Sequence, residues 1–396
     1  MSQSQPQYRI NLRRYRILYW PFLLPVALLI ALFNKLSPVP FKIYVIRADR
    51  VGHLVTNQEN FLYEIEHGLH PKEFRVYVHR DRPSNGVLLD MLKRVMPIHQ
   101  AFLPLFDVCH KLGGLGVSSM YLHHHPGTDP SRTMFQSPPH LSFTKEEDDE
   151  ARRQCRELGM DPDKPFVPVL GRDSAYLSHI GEPTDTKSYR NVDINTFIPA
   201  MEFIAKSCPV IRMGSVVRDR LRTEHPNVID YSLSGKRTEL LDVYLPAKCL
   251  FFLTVGTGID SIASCGFRRP TLYVNYIPPE IVPILPAGSM CILKKYWNEN
   301  EKRYMSFREL HRQGIESMSP DVLNPQGIFV HDNTPEEILE SVREMMARLD
   351  GSWVETEEDR ALQAAFWECA REVCSDPQPG LRVGASYLRN NRFWID

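Results

Sequence analysis

Phe251-Phe-Leu-Thr-Val-Gly-Thr-Gly-Ile-Asp-Ser-Ile-Ala-Ser-Cys-Gly266 is the stretch on which the reading of the fold turns. An apolar run, 250–253, gives way to a loop of small residues. The loop gives way to a helical pattern over 258–266, and Arg268-Arg269-Pro270 then leads into a further apolar run at 271–274. A strand that feeds a helix, followed by another strand, is the repeating unit of a parallel α/β sheet. The first turn of such a helix leaves backbone N–H groups unpaired and carries partial positive charge, which suits phosphate. Gly256 and Gly258 let a ligand approach the backbone, and Thr254, Thr257 and Ser261 add hydroxyl donors. The stretch is not a complete G-x-G-x-x-G pattern, and a plain strand-to-helix turn is the competing reading.

The same alternation extends in both directions. Strands are predicted at 166–170 and 210–213, with helices over 193–207, capped by Asp193, and over 240–247. Downstream, Asn333-Thr-Pro-Glu-Glu337 opens a helix with Thr334 as N-cap, Pro335 in the first turn and Glu337 closing a capping box. Helical stretches over 359–374 and 380–390 end the chain. Thr144-Lys-Glu-Glu147 is a second capping box, opening a helix that stops at Gly159, and a domain boundary is expected there because the alternation restarts at Phe166. In the first half, 41–47 and 74–79 read as strands and 54–67 and 87–95 as helices. The region 103–139, with Gly113, Gly114 and Gly116, reads as irregular and turn-rich.

A chain of 396 residues suits two α/β domains, and 43 % apolar with 24 % charged residues is enough to give each a core. A net charge of −1 provides no overall basic field to draw the chain to nucleic acid. The eight cysteines include no C-x-x-C pair and read as buried thiols in a reducing compartment. Charge is uneven at the start: residues 1–48 hold Arg9, Arg13, Arg14, Arg16, Lys35, Lys42 and Arg47 and no Asp or Glu. These flank LYWPFLLPVALLIALF at 18–33, a run shorter than the ~20 residues of a straight membrane span. Pro21 and Pro25 each remove a helix hydrogen bond, so a kink is expected. No small-x-small cleavage site follows, which disfavours a signal peptide. A stretched span or a kinked helix dipping into one leaflet fits better, with the basic flanks on anionic lipid.

Three positions in the second half are candidate anion ligands. Arg172 follows the first strand in Gly171-Arg-Asp173, Arg190 precedes the helix capped by Asp193, and Arg212-Met-Gly214 closes the next strand. An arginine can hold a diphosphate bidentately, and open α/β sheets bind ligands at the carboxyl ends of their strands. A surface pair between Arg172 and Asp173 is the competing reading. In the first half, Asp49, Arg50, Gly52 and His53 follow the first strand. Either His53 or Asp49 could take a proton from a hydroxyl, although a histidine here could equally be structural. His123-His-His125 is not spaced as a metal set and reads as a structural loop, so no metal site is expected.

Arg50-Val-Gly-His-Leu54 with Asn57 and Glu59, Arg172-Asp-Ser-Ala-Tyr-Leu177, Tyr189-Arg-Asn-Val-Asp-Ile194, Val210-Ile-Arg-Met-Gly214 and Phe251 to Pro270 together resemble a family of bacterial glycosyltransferases found in surface-polysaccharide contexts. The second half is also distantly similar to the donor domain of fucosyltransferases, although Leu170 stands where those relatives carry a His two residues before the Arg. The resemblance implies a GT-B-like α/β fold, two Rossmann-like domains with a cleft between them, preceded by a membrane-associated helix. It assigns 37–143 to the acceptor and 144–350 to the nucleotide-sugar donor, with 1–36 the membrane-attachment segment and 351–396 C-terminal helices. It implies no cofactor beyond the nucleotide-sugar co-substrate and no metal, because arginines and helix N-termini neutralise the diphosphate. The expected partners are that donor, a glycan or lipid-linked acceptor, and membrane lipids, with the chain at the cytoplasmic face of the inner membrane and no nucleic acid involved. A nucleotide-sugar epimerase or hydrolase on the same fold and a membrane-tethered scaffold without turnover are the alternatives.

Overall fold

In FKIYVI, aromatic and β-branched residues form β1 (Phe41–Ile46), which lies at the centre of the first sheet. The computed structural model describes residues 12–119, 134–173, 175, 178, 190–277, 286, 288–315, 318–372 and 381–395. The chain divides into two units, Met1–His123 and His124–Asp396, a division that falls earlier than the capping box at Thr144.

In the first unit β1 pairs in parallel with β2 (Phe74–His79) on one side and β3 (Ser118–Ser119) on the other, and a lone parallel bridge joins Tyr77 to Ile98 beyond β2. Helix α2 (Val51–Glu66) connects β1 to β2. Helix α3 (Gly86–Val95) follows β2, its Asn85 side chain accepting from the Leu88 N–H as the cap. Helix α4 (Leu103–Lys111) lies where the sequence reads as irregular. Its Pro104 sits in the first turn, and Leu105, Phe106, Val108 and Cys109 are buried against Ile43, Val45 and Val78. The glycines at 113, 114 and 116 follow the helix, with Gly113, Gly114 and Gly116 all at positive φ. Helix α1 (Leu12–Leu36) runs unbroken through Pro21 and Pro25. Each proline forfeits one backbone bond, and the remaining ladder of a 25-residue helix carries on past both.

The second unit has a seven-stranded sheet in the order β13-β9-β8-β7-β4-β5-β6, every neighbouring pair parallel. The strands are β4 (Val167–Leu170), β5 (Val210–Arg212), β6 (Val228–Asp230), β7 (Phe252–Thr254), β8 (Thr271–Tyr276), β9 (Met290–Leu293) and β13 (Arg382–Val383). Alternate residues serve opposite faces. Val167, Val169 and Leu253 pack with Ala200, Met201 and Ile204 of helix Ile198–Ala205, whereas Phe166, Leu170 and Phe252 pack with Ala151 and Cys155 of α5 (Lys145–Glu157). Helices on both faces explain why β4, β5 and β7 are buried at every residue. Both capping boxes form, Thr144 with Glu147 and Thr334 with Glu337. The last helices, Glu357–Arg371 and Ala385–Asn390, set Phe366, Trp367 and Tyr387 into the same core as the sheet. A small antiparallel sheet, β10 (Lys295–Asn298), β11 (Arg303–Tyr304) and β12 (Ile328–His331), completes the unit.

The fold class expected from the sequence, GT-B-like in composition, is therefore present: two α/β units, each on a parallel sheet, preceded by one apolar helix. Seven cysteines, Cys109 to Cys369, are described; all are buried and free.

Candidate active site

The strand order fixes where a ligand can enter. From β4 the chain winds outward to β5 and β6, then crosses back to β7, β8 and β9 on the other side. The winding reverses between β4 and β7, and in an open parallel sheet the crevice lies beyond the carboxyl ends of the two strands at that point. Both strands here run into glycine: β4 into Gly171 and β7 into Gly256.

Each glycine is required by what lies beside it. A β-carbon on Gly171 would fall 2.9 Å from Ile194 Cδ1, because the segment 192–194 lies against it and the Val192 N–H donates to the Arg172 carbonyl at 2.9 Å. Gly256 has φ +77°, and a β-carbon there would fall 2.7 Å from Tyr276 Cε2. The turn that follows is organised by Asp260, which accepts from the Thr254 hydroxyl at 3.2 Å and from the Thr257 N–H. Burial pushes the Asp260 carboxyl up to about 6, against the pull of the Thr257 N–H, the Thr254 hydroxyl and the Arg190 charge. Thr257 Oγ1 is buried beside the Asp260 carboxylate. Gly258 is exposed, Ser261 is half-buried, and the helix continues from Ser261 through a π turn, Ile262–Gly266.

Arg190 and Arg172 are brought to this end of the sheet by different routes. Arg190 gives one of its N–H donors to the Gly256 carbonyl, which fixes its guanidinium beside the glycine loop. Arg172 is half-buried at the end of β4, and the next residue, Asp173, accepts from the Ala175 and Arg218 N–H groups at 2.8 and 2.9 Å. At the end of β9, Lys294 bonds the Asn191 carbonyl at 3.1 Å and Asp332 at 2.6 Å, and burial lowers its pKa. Residues 190–192 are thus tied to β4, β7 and β9 together.

Arg212 is placed otherwise. Its side chain is 3 % exposed and pairs with Asp230 of the neighbouring strand at 3.0 Å, so its charge is already met inside the sheet. Gly214, two residues on, has φ +151°, and a β-carbon there would fall 2.6 Å from Val217 Cγ1. It shapes the turn after β5.

In the first unit, Asp49 follows β1 and His53 lies in the first turn of α2. Arg47 holds both: its Nε donates to Asp49 Oδ1 at 3.0 Å, and its Nη1 lies 3.2 Å from His53 Nε2. A guanidinium has no acceptor, so in this contact His53 Nε2 accepts. Proton removal by that nitrogen requires Arg47 to let go. Beyond His53, α2 buries an unusual run of polar side chains, Thr56 to Asn60.

Asp260, Lys294 and Arg47 are the residues that sequence reasoning misses here. Asp260 carried a signal, since a carboxylate two places after Gly258 can reach back to loop N–H groups. Lys294 stands in a Lys-Lys doublet after an apolar run, and nothing local separates its role from that of Lys295, which pairs with Glu337. His123–His125, Tyr176, Leu177 and Tyr189 lie outside the described residues. Among the described residues no three His, Cys, Asp or Glu side chains come together as metal ligands.

No protein-family model and no curated protein sequence matches the chain. Among solved structures, the chain is similar to E. coli ADP-heptose lipopolysaccharide heptosyltransferase II at 14 % identity and a TM-score of 0.43, over 78 % of this chain and 100 % of that one. It is similar to a family 9 glycosyl transferase from Veillonella parvula at 13 % identity and a TM-score of 0.40, over 76 % and 98 %. Likeness at this level carries no argument about chemistry, which has to come from the site itself.

Proposed function

We propose that this chain is a glycosyltransferase that moves a sugar from a nucleotide-sugar donor to a glycan or lipid-linked acceptor at the cytoplasmic face of a membrane. The observation that carries the proposal is the switch-point crevice of the second unit. Two glycine-ended strands open there, Arg190 is fixed against the Gly256 loop, and Arg172 stands at the neighbouring strand end. Arg172, Arg190 and the Thr254–Ser261 turn hold the diphosphate and stabilise the negative charge that builds on it as the glycosidic bond breaks. Thr257 Oγ1 supplies a further hydroxyl within the turn. His53 or Asp49 takes the proton from the acceptor hydroxyl, once the Arg47 contact opens. No cofactor or metal enters this scheme, since cationic side chains and backbone N–H groups do the neutralising. Helix α1 carries the membrane attachment: 18 of its residues, Tyr19–Leu36, are long and apolar enough to cross a bilayer.

A thermal-shift panel of nucleoside diphosphates tests the reading. A ligand that binds only the folded chain raises its stability, by about 2.7 kcal/mol at a hundredfold excess over Kd. One diphosphate is expected to raise Tm in the wild type and to raise it clearly less in Arg172→Ala, and the sugar derivative of that nucleotide is then the donor to assay. If no nucleotide shifts Tm, the donor assignment fails.

A further inference from the structure

Helix α1 has two apolar faces, and only one of them is covered. Trp20, Leu23, Ala27, Ile30 and Ala31 recur at helical spacing and pack on the core of the first unit, where Ala27 is fully buried. The far end is fastened by Asn34. Its side-chain amide donates to the Phe41 and Gly116 carbonyls at 2.8 and 3.0 Å and accepts from the Phe41 N–H at 2.7 Å. Near the other end, the Lys111 ammonium of α4 lies 5.5 Å from the centre of the Trp20 ring. The opposite stripe, Phe22, Val26, Leu29, Phe33 and Leu36, follows the same spacing and is exposed, Phe22 by 75 % and Leu29 by 66 %.

A surface helix in water turns polar residues outward. This one turns outward a stripe as apolar as the one it buries, which marks an interaction face. The charge around it selects the occupant. Arg13, Arg14 and Arg16 precede the stripe on the same helix, Lys35 closes it, and residues 1–48 contain no Asp or Glu. Pairing with a second copy of α1, parallel or antiparallel, would bring these cations together with no carboxylate to offset them. Anionic lipid headgroups supply the missing charge.

The covered stripe also limits how α1 can meet the membrane. To cross the bilayer upright, the helix would carry α4 and the sheet it packs on with it, and set the Arg80–Asp107 ion pair of that unit in hydrocarbon, where charged groups are expensive. We infer that α1 is an in-plane membrane anchor built into the first unit: its inner stripe is part of that unit's core, and its outer stripe lies in the headgroup–acyl boundary of an anionic bilayer. The inference deepens the membrane part of the proposed function and does not depend on glycosyl transfer, because its tests need no donor.

The full chain is sedimented with closed vesicles of phosphatidylethanolamine and phosphatidylglycerol. Replacing Phe22→Gln, Leu29→Gln and Phe33→Gln together is expected to lower vesicle binding by at least about tenfold without lowering Tm. Ala27→Phe, on the inner stripe, is expected to lower Tm. A triple variant that folds and still sediments with vesicles overturns the outer-stripe assignment. The wild-type chain with an epitope at each terminus then reports topology: protease added to one side of closed vesicles is expected to remove both epitopes or neither. Loss of one with protection of the other means that α1 spans, and overturns the in-plane anchor whatever the substitutions show.

Discussion

The carboxyl ends of the central strands, β1 in the first unit and β4 with β7 in the second, are built from similar residues to different effect. After β7, the charged and polar side chains act on the backbone: Asp260 curls the turn by holding Thr254 and Thr257, and Arg190 holds the Gly256 carbonyl. After β1, they act on one another: Arg47 joins Asp49 to His53, and Arg50 lies 3.8 Å from Asp49. The first arrangement fixes the shape of the turn that edges the crevice. The second ties two titratable groups, Asp49 and His53, to a single arginine. On the proposed function the first edge holds the donor and the second, latched by Arg47, moves the proton, and the contrast can be broken at either end.

The largest expected effect is at the latch. His53→Ala should depress transfer by about 10²–10⁴-fold, the usual contribution of a general base, while nucleotide binding is unchanged. Asp49→Asn is the matched control, and steady-state rates with a working acceptor decide between them. If both variants transfer at the wild-type rate, the β1 edge has no catalytic part and the comparison collapses.

At the shaping end, Asp260 should show itself in stability. Its folded value of about 6 lies above the unfolded value of 3.8, so the folded chain binds more protons in between. Its contribution is therefore fully present below about pH 4 and is lost as pH rises through 6, by up to about 3 kcal/mol. Asp260→Asn should flatten that slope in urea melts taken between these pH values. An unchanged slope would mean that the turn is not held by a strained carboxylate.

A smaller pair of effects separates the two kinds of arginine. Arg172→Ala should weaken nucleotide binding by about 1.5–3 kcal/mol, roughly 10–150-fold, with little change in Tm. Arg212→Met should do the reverse, lowering Tm because Asp230 loses its partner inside the sheet, and leaving Kd unchanged. Calorimetry and thermal melts on both variants read the four numbers, and a loss of nucleotide affinity in Arg212→Met would return that arginine to the ligand.

Much of the fold was legible because its signals are local. Strand runs, the capping boxes at Thr144 and Thr334, and the strand–glycine–helix turn at Gly256 all appear where their spacing predicts. Two of the exceptions were also local in cause. α4 was hidden by the three glycines that end it, and α1 ran through prolines that alone predict a kink. β10 to β12 are short, and although β11 follows β10 as a hairpin, β12 pairs with β10 from a distant segment.

The sequence by itself determined the α/β alternation, the apolar helix with its basic flank, and the glycines at the ends of β4 and β7, because periodicity, caps and conformational freedom belong to neighbouring residues. Only the tertiary structure decided what each of three similar arginines holds in the fold. Arg190 reaches Gly256 because the segment 190–192 crosses the ends of β4 and β7, and Arg212 is consumed by Asp230 because β5 pairs with β6. The same holds for Arg47 over His53 and for the covered stripe of α1. A side chain's partner is set by strand order and helix packing, and these join residues through space that the chain keeps apart.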